Sequence, residues 1–421
     1  MIKREILSDI LHWIGKEKIL ILKGARQVGK TTILRQIIAD IQKKDKDSAI
    51  AYLRADDKEN SQIFQSTATL EEYLKRTHGF PAKFVYLFID EFQVIDDAGL
   101  FLKNIFDKYR DRLQIIVSGS SSLEITKNTE FLTGRSIDFD IQRISFREYF
   151  NYENKSGIKP IPLKNFAELE LFYKTFSDKI DIHFKEYLAF GGYPEVITTL
   201  ENQDKETILN SIVKTYIEKD IAGFLKVENV TGFNNLVKIL SAQIGNLVNL
   251  SEVSNTTTLS RNTAEKYLAI LIGTYVFHLV TPFYKNIRSE LSKMPKVYAL
   301  DIGLRNYFTR SLDSDNRLNG GVVENFVYLH LLHQYKKEYI HFYRTIGGAE
   351  IDFVIEGAEN NILLGEVKYG AKAKVPVAIK NFVERYPNSV AQKIIFTKNT
   401  LRQEADGIIF LPVSLFPFTI L

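Results

Sequence analysis

The sequence predicts an α/β protein with a parallel sheet in its N-terminal part and a smaller α/β domain at its C-terminal end. In the first 150 residues, short apolar runs alternate with amphipathic stretches, which is typical of a parallel sheet covered by helices. The pattern becomes mostly helical from residue 166 to 225, with a helix stop predicted at the turn Phe190-Gly191-Gly192-Tyr193-Pro194. After about residue 320 it reads helix, strand, strand, strand, helix, strand. A hydrophobic content of 45% and a charged content of 25% over 421 residues are ordinary for a globular chain of several domains.

The composition excludes several classes of protein. The chain has no cysteine, which rules out a disulfide framework, thiolate catalysis, zinc fingers and iron–sulfur clusters. The 55 basic and 51 acidic residues give a net charge of +4, which is too balanced to indicate a nucleic-acid partner by itself. No apolar run approaches the roughly 20 residues of a membrane-spanning helix, and charged side chains interrupt the N-terminal apolar stretch. We therefore expect no membrane partner and a cytoplasmic location.

The elements of the N-terminal part follow from the positions of the apolar runs. Short runs rich in branched apolar side chains predict strands, and apolar residues three or four apart predict the covering helices. The predicted strands are Ile19–Leu22, Ala49–Leu53, Phe84–Ile89, Leu113–Val117 and Ser136–Ile144. The predicted helices are Lys30–Gln42, Leu70–Arg76 and Gly99–Arg110.

A glycine-rich loop follows the first predicted strand. Residues 24 to 31 read GARQVGKT and fit the pattern G-x-x-x-x-G-K-[ST] without a mismatch, between a strand and an amphipathic helix. The glycines let backbone N–H groups point at phosphates, and the helix N-terminus adds partial positive charge. We expect Lys30 to contact the β and γ phosphates of ATP and Thr31 to hold Mg²⁺. The predicted nucleotide-binding residues are Gly24, Ala25, Arg26, Gln27, Val28, Gly29, Lys30, Thr31 and Thr32.

An acidic pair ends the third predicted strand. Six apolar residues, Phe84–Ile89, lead directly into Asp90 and Glu91. We expect Asp90 to bind Mg²⁺ through water, and Glu91 to orient and deprotonate the attacking water. Both carboxylates fall where a parallel sheet opens at its carboxyl edge, as the loop does. The glutamate beside the aspartate favours hydrolysis over nucleotide sensing alone.

Serines end the fourth predicted strand, in the run Ser118-Gly119-Ser120-Ser121-Ser122. A polar residue at this strand end is placed to touch the γ phosphate or the attacking water, and we predict this role for Ser118. A serine nucleophile is the alternative, but no G-x-S-x-G elbow surrounds these serines, and we reject it.

These motifs resemble a known family. The stretches GARQVGKTT, FIDEFQ, SGSSS and LTGRS are similar to those of predicted AAA-type ATPases of bacteria and archaea, and the resemblance covers essentially the whole chain. It implies an AAA-type P-loop core (1–150), a helical lid (151–230), a winged helix (231–284), a basic connector (285–319) and a restriction-endonuclease-like α/β domain (320–421). It also implies that Arg135 acts as an arginine finger or sensor arginine, since a guanidinium suits the charge on the γ oxygens. A surface arginine is the alternative.

The middle of the chain resembles a winged helix. Leu236–Gly245 reads as a first helix, a second starts at Ser251, and a third runs from Ser260 to Leu268. Arg261, Asn262 and Lys266 lie where a recognition helix faces a DNA groove. Few basic residues accompany them, so contact with DNA and docking of a protein both stay open.

The connector is locally basic. From Lys285 to Arg310, six cations face two carboxylates, which gives a local charge of +4 (Lys285, Arg288, Lys293, Lys296, Arg305 and Arg310 against Glu290 and Asp301). Such a segment is able to follow a phosphate backbone, and a solvated surface is the alternative.

A second set of charged residues lies near the C-terminus. Asp352 and the pair Glu366 and Lys368 fall on adjacent predicted strands, where alternation brings them to one face. This is the D…E-x-K arrangement of restriction-endonuclease-like nucleases, in which carboxylates bind Mg²⁺ or Mn²⁺ and the lysine polarises a water. Glu324 matches the acidic helix residue of that fold. Folds of this class also persist as scaffolds that do not cleave.

Together these features predict an ATP-hydrolysing AAA-type module coupled to a nucleic-acid-binding or nuclease-like domain. A homo-oligomer is compatible with this prediction. The alternative is a nucleotide-gated regulatory or protein-binding switch whose nuclease-like domain is inactive.

Overall fold

The computed structural model describes residues 2–120, 130–215, 227–284, 293–312, 319–345, 347–357, 361–370, 374–387 and 389–421. The chain forms two compact units: residues 2–144 with 273–276 make the N-terminal unit, and residues 145–272 with 277–421 make the second unit. Within the described ranges, no helix has the length and apolar content needed to cross a membrane.

The N-terminal unit is built on a five-stranded parallel sheet. Its strands are β1 (Ile19–Lys23), β2 (Ala49–Arg54), β3 (Val85–Asp90), β4 (Leu113–Gly119) and β5 (Ser136–Asp140). They lie in the order β2-β3-β4-β1-β5, and every neighbouring pair is parallel. The helices are α1 (Leu7–Leu11), α2 (Lys30–Lys44), α3 (Thr67–His78) and α4 (Ala98–Tyr109).

The strands and helices of this sheet confirm the sequence prediction, with one correction. The fifth strand ends at Asp140, whereas the apolar pattern had extended it to Ile144. The four residues that follow Asp140 have no regular structure, although Ile141 and Ile144 are buried. Their apolar side chains therefore reflect burial rather than pairing in the sheet.

Burial explains why the central strands read as continuous apolar runs. Every residue of β4 is buried, and Ile19, Leu20, Ile21 and Leu22 of β1 are completely inaccessible to solvent. A strand with covered faces on both sides has no polar face to alternate with. Parallel pairing of β1 and of β3 with β4 then places the carboxyl ends of these three strands side by side.

The first part of the second unit is helical. Its elements are α5 (Phe146–Glu153), β6 (Ile161–Pro162), α6 (Phe166–Phe190), α7 (Pro194–Thr198) and α8 (Asn202–Ile212). Helix α6 ends where the sequence predicts a stop, because Gly191 follows with a φ of 77°. The sequence near residue 218 has amphipathic spacing, and we interpret Glu218 and Asp220 as salt-bridging surface carboxylates rather than catalysts. Both lie outside the described residues.

Three helices and a hairpin follow in the predicted winged-helix region. They are α9 (Val230–Ala242), α10 (Leu250–Thr257), α11 (Arg261–Gly273), β7 (Phe277–Val280) and β8 (Lys296–Ala299). Strands β7 and β8 are antiparallel, and Val280 pairs with Lys296. Helix α12 (Ile302–Phe308) comes next. Strand β8 and helix α12 thus occupy residues that the sequence had assigned to the connector.

The C-terminal part contains a six-stranded mixed sheet in the order β13-β14-β12-β11-β10-β9. This part of the chain comprises α13 (Gly320–Leu331), β9 (Ile340–Arg344), β10 (Glu350–Glu356), β11 (Ile362–Lys368), α14 (Val377–Arg385), β12 (Val390–Thr397), β13 (Arg402–Gln403), β14 (Ile408–Pro412) and β15 (Thr419–Ile420). Strand β15 pairs with β6 and is not part of the six-stranded sheet. The predicted order of helix, three strands, helix and strand is confirmed. Strands β13 and β14 extend the sheet beyond that prediction.

Candidate functional site

The carboxyl edge of the N-terminal sheet gathers the residues predicted to handle a nucleotide. The glycine-rich loop leaves β1, the acidic pair ends β3, and Ser118 ends β4, which lies between those two strands. Lys30, Thr31, Asp90, Glu91 and Ser118 are called the nucleotide edge below. Parallel pairing brings these residues together although they come from three separate parts of the chain.

The loop before α2 has the backbone of a phosphate cradle. Gln27 and Gly29 have φ angles of 62° and 95°, the left-handed kinks that turn successive N–H groups inward. A Cβ atom at Gly24 would collide with the carbonyl oxygen of Ile141, so only glycine fits this close approach. The Arg4 guanidinium donates to the Val28 carbonyl at 2.9 Å and supports the loop from behind. These features fit a nucleotide phosphate.

Lys30 begins α2 with a buried side chain. Its ammonium donates to the carbonyl oxygens of Gly24 at 3.0 Å and Ala25 at 2.8 Å. Burial lowers the pKa of Lys30 to about 8, although the charges of Glu91 and Asp90 act to raise it. A phosphate brought into contact with this ammonium would offset its desolvation, which is further evidence of fit.

Asp90 is the centre of the hydrogen bonds at this edge. Its Oδ2 accepts from the Thr31 hydroxyl at 2.7 Å and from the Tyr52 hydroxyl at 3.0 Å, while its Oδ1 accepts from the Ser118 hydroxyl. All three partners are neutral, so they orient the carboxylate without cancelling its charge. Oxygen ligands of this kind suit Mg²⁺, which usually takes one or two protein carboxylates together with substrate phosphates.

Glu91 lies next to Asp90 in a left-handed conformation, with a φ of 57°. The Gln93 amide donates to Glu91 Oε2 at 2.6 Å, and the Ser120 hydroxyl donates to the same oxygen at 3.1 Å. These two neutral donors hold the carboxylate at the end of the sheet. Ser121 and Ser122, the rest of the serine run, lie outside the described residues.

Arg135 lies at the opposite edge of the same sheet. Its carbonyl accepts a hydrogen bond from the Ile19 amide, and Ser136 pairs with Ile19 where β1 begins. Strand β1 then runs five residues to the loop, roughly 13 Å at about 3.3 Å per residue. The guanidinium is bonded to Asp107 at 2.6 and 3.0 Å. This placement separates Arg135 from the nucleotide edge of its own chain.

Comparison with known families agrees with this geometry. A model described as "AAA domain" matches residues 16–150, which include the loop, the acidic pair and Arg135. Residues 16–150 form an AAA domain. Two models described as domains of unknown function, DUF8612 and DUF4143, match residues 181–315 and 319–416. The AAA domain supports an ATPase-type function and confirms the resemblance found in the sequence.

Two relatives match this chain over most of their length. An uncharacterized protein of Haemophilus influenzae is 24% identical over 369 residues, which cover 85% of this chain and 85% of the relative. An uncharacterized protein of Methanocaldococcus jannaschii, MJ1544, is 27% identical over 369 residues, or 85% of this chain and 76% of the relative. Among solved structures, Cdc6p from Pyrobaculum aerophilum is 12% identical over 73% of this chain and 92% of that chain. Its TM-score is 0.28, too low to support a conclusion.

A second group of charged residues lies in the C-terminal sheet, outside the AAA domain. Asp352 and Glu366 are joined through the backbone: the Val367 amide donates to Asp352 Oδ2 at 2.8 Å, and the Asp352 amide donates to Glu366 Oε2 at 3.1 Å. The Lys368 ammonium donates to Glu366 Oε1 at 2.5 Å. The structure therefore brings together the three strand residues that the sequence predicts.

Glu324 joins this group from α13, as predicted, and a lysine lies among the acids. Lys296 Nζ is 2.5 Å from Glu350 Oε1, 2.9 Å from Glu324 Oε1 and 3.6 Å from Asp352 Oδ1. The Tyr298 hydroxyl also donates to Glu324 Oε1, at 2.6 Å. Glu324, Glu350, Asp352 and Glu366 are called the carboxylate cluster below.

Burial and mutual repulsion dominate the ionisation of the carboxylate cluster. Burial, followed by the charge of Asp352, raises the pKa of Glu324 and of Glu366 to about 7. Burial also raises the pKa of Asp352, against the charge of Lys296. Within the part of the chain that the structure describes, no group of three or more His, Asp or Glu side chains has an arrangement suited to a metal ion. The expectation of a second Mg²⁺ or Mn²⁺ therefore finds no support.

Two cations of the predicted connector are buried. Lys296 and Arg305 have exposed fractions of 1% and 6%. Both are therefore removed from any path along a nucleic-acid backbone, which corrects the expectation for these residues. Lys285, Arg288 and Glu290 lie outside the described residues.

Four residues that take part in these contacts are not assigned to the two sites by the sequence: Tyr52, Gln93, Lys296 and Glu350. Gln93 follows Glu91 by two residues, and Glu350 precedes Asp352 by two on the same strand, so spacing alone was a usable signal. Tyr52 and Lys296 had no local signal. Their roles depend on which strands become neighbours, and the register of pairing is a property of the folded sheet.

Proposed function

We propose that the AAA domain hydrolyses ATP with Mg²⁺ at the nucleotide edge. The observation that carries this proposal is the contact of Thr31 with Asp90, 2.7 Å apart, between the phosphate cradle and Glu91. A carboxylate oriented only by neutral hydroxyls keeps its full negative charge at the place where a cation would meet the phosphates. The carboxylate of Glu91, one residue away, is available to accept a proton from the attacking water.

The residues divide the work of phosphoryl transfer. Lys30 contacts the β and γ phosphates, Thr31 and Asp90 hold Mg²⁺, and Glu91 takes the proton of the attacking water. Bound there, Mg²⁺ supplies positive charge to the phosphate oxygens. Ser118, expected from the sequence to touch the γ phosphate or the water, donates to Asp90 in the folded chain. We therefore propose that it positions this carboxylate.

The direct test is ATP turnover by the full chain with Mg²⁺, compared with Lys30→Ala. Loss of the charge-assisted contact to the phosphates should weaken ATP binding at least about tenfold. Lys43→Ala is the matched control, because Lys43 is an exposed lysine in the last turn of the same helix. Equal ATP affinity in all three proteins would contradict the assignment of Lys30.

For the second unit we propose docking to nucleic acid, coupled to the AAA domain. The supporting observation is the succession of helices α9, α10 and α11 and the hairpin of β7 and β8, which is the order of elements expected of a winged helix. Helix α11 begins after Ser260, whose hydroxyl accepts from the Thr263 amide at 3.1 Å. This cap leaves Arg261 and Asn262 as the first two residues of the helix, with Lys266 in its second turn.

Fluorescence anisotropy with labelled duplex DNA tests docking. Binding should weaken as salt rises and should fall when Lys266 is replaced by glutamate, whereas Lys164→Glu at an exposed loop position should have less effect. Absence of DNA binding at low salt, with and without ATP, would favour the alternative of a nucleotide-gated, protein-binding switch.

A further inference from the structure

The carboxylate cluster already contains a cation. The side chain of Lys296 is only 1% exposed, whereas that of Lys368, the other lysine beside the cluster, is 43% exposed. The Lys296 ammonium faces three carboxylates within 3.6 Å. These acids come from two elements: Glu324 from α13, and Glu350 with Asp352 from β10. An ammonium has three N–H donors, so it can serve several acceptors at once, as a metal ion does.

The stem of Lys296 is fixed by the fold. It is the first residue of β8, a strand whose four residues are all buried, and it pairs with Val280 of β7. The hairpin of β7 and β8 is in turn tied to the C-terminal sheet, because the Phe283 amide donates to the Phe342 carbonyl at 2.6 Å. The ammonium also lies 5.4 Å from the centre of the Phe342 ring, a cation–π contact.

Four of the five carboxylate oxygens of the cluster that do not face Lys296 are also hydrogen-bonded. Glu350 Oε2 accepts from Arg344 at 3.0 Å, Asp352 Oδ2 accepts from the Val367 amide, and Glu366 bonds both Lys368 and the Asp352 amide. Mg²⁺ requires oxygens at about 2.0–2.1 Å in an octahedral array. An ammonium among the same oxygens takes up the space of such an ion and repels its charge.

We propose that the Lys296 ammonium is the resident cation of the carboxylate cluster and excludes a divalent metal ion from it. Glu324, Asp352, Glu366 and Lys368, together with Lys296 and Glu350, then form an ion-paired joint between the β7–β8 hairpin and the C-terminal sheet. They do not form a metal-dependent phosphodiesterase site. The residues of a nuclease arrangement are present, but they do not fit the metal that such chemistry needs.

The first experiment counts bound Mn²⁺ on the full chain without nucleotide, by electron paramagnetic resonance of the free ion. Wild type and Asp352→Asn, which is nearly isosteric, should bind the same number of ions per chain. One additional ion on wild type, absent from Asp352→Asn, would overturn the proposal. This comparison does not depend on any change at Lys296.

The second experiment removes the ammonium. Lys296→Met keeps the apolar stem and should gain one bound Mn²⁺ per chain, and this gain should vanish in the double variant with Asp352→Asn. The matched control is Lys205→Met, since Lys205 is also buried, pairs with Glu186 and lies 5.2 Å from the Phe190 ring. Lys205→Met should gain no ion. A folded Lys296→Met protein that gains no ion would also contradict the proposal, and if that variant does not fold, the first experiment decides.

Discussion

The nucleotide edge and the carboxylate cluster both bring acidic side chains together, but different hydrogen-bond donors hold those side chains. At the nucleotide edge, Asp90 is bonded by the hydroxyls of Thr31, Tyr52 and Ser118, which are neutral. In the cluster, Glu324 and Glu350 are bonded by the ammonium of Lys296. A neutral donor orients a carboxylate and leaves its charge available, whereas an ammonium cancels it. Acidic residues in a nuclease-like or nucleotide-binding order therefore do not by themselves predict a metal site.

The largest expected effect concerns Arg135, which lies at the amino edge of the sheet. We predict that Arg135 acts on ATP bound to a second copy of the chain, because its position separates it from the glycine-rich loop of its own chain. Arg135→Ala should lower ATP turnover by about 10³-fold, as loss of an arginine finger does. Mixing it with Lys30→Ala protein should restore part of the activity, because one copy supplies the arginine and the other supplies the loop.

Asp107 provides the control for this prediction, since it bonds Arg135 in the folded chain. If Arg135 only stabilises the domain through that ion pair, Asp107→Ala should reduce turnover as much as Arg135→Ala. Failure of the mixed proteins to exceed the activity of either variant alone would remove the role across copies.

A second prediction concerns stability in the carboxylate cluster. Burial and the charge of Asp352 raise the pKa of Glu324 to about 7, above its ordinary value of 4.5. The folded chain therefore holds this proton more tightly than the unfolded chain, so the contribution to stability is full below about pH 4.5 and is lost as pH rises through about 7. Between pH 5 and pH 8, the free energy of unfolding of wild type should fall by about 1–3 kcal/mol more than that of Glu324→Gln.

Chemical denaturation at several pH values measures this difference. Glu384→Gln is the control, because Glu384 is an exposed carboxylate on α14, and it should follow wild type. The same pH dependence in Glu324→Gln and wild type would show that Glu324 does not titrate in this range.

The smallest expected effect concerns Tyr52, whose hydroxyl shares Asp90 Oδ2 with Thr31. Burial and the charge of Asp90 raise the pKa of Tyr52 to about 12, so the hydroxyl stays protonated and donates. Tyr52→Phe should lower ATP turnover at limiting Mg²⁺ by about fivefold, which corresponds to roughly 1 kcal/mol for one hydrogen bond. Tyr86→Phe on the neighbouring strand should leave turnover unchanged. Equal turnover in both variants would mean that Asp90 is sufficiently oriented by Thr31 and Ser118.

The sequence predicts the nucleotide edge well because its signals are local. The loop pattern and the acidic pair each lie within a few consecutive residues, and the parallel sheet that they imply brings their strand ends together. Alternation along adjacent strands likewise predicts that Asp352, Glu366 and Lys368 share one face. Lys296 has no such signal, because a lysine in a basic stretch gives no sign that its strand will be buried against carboxylates far along the chain. The place of Arg135 at the edge opposite the loop depends on the register of β5 against β1, which the sequence does not reveal.

The measurement that tests the central claim most directly compares ATP binding and ATP turnover in Glu91→Gln and wild type, with Mg²⁺ and the full chain. Replacing the carboxylate removes the proton acceptor but keeps its size and the donors Gln93 and Ser120 around it. We predict that ATP affinity stays within about twofold, while turnover falls by about 10²- to 10⁴-fold. Unchanged turnover, or a loss of binding as large as the loss of turnover, would contradict the claim that the nucleotide edge hydrolyses ATP through Glu91.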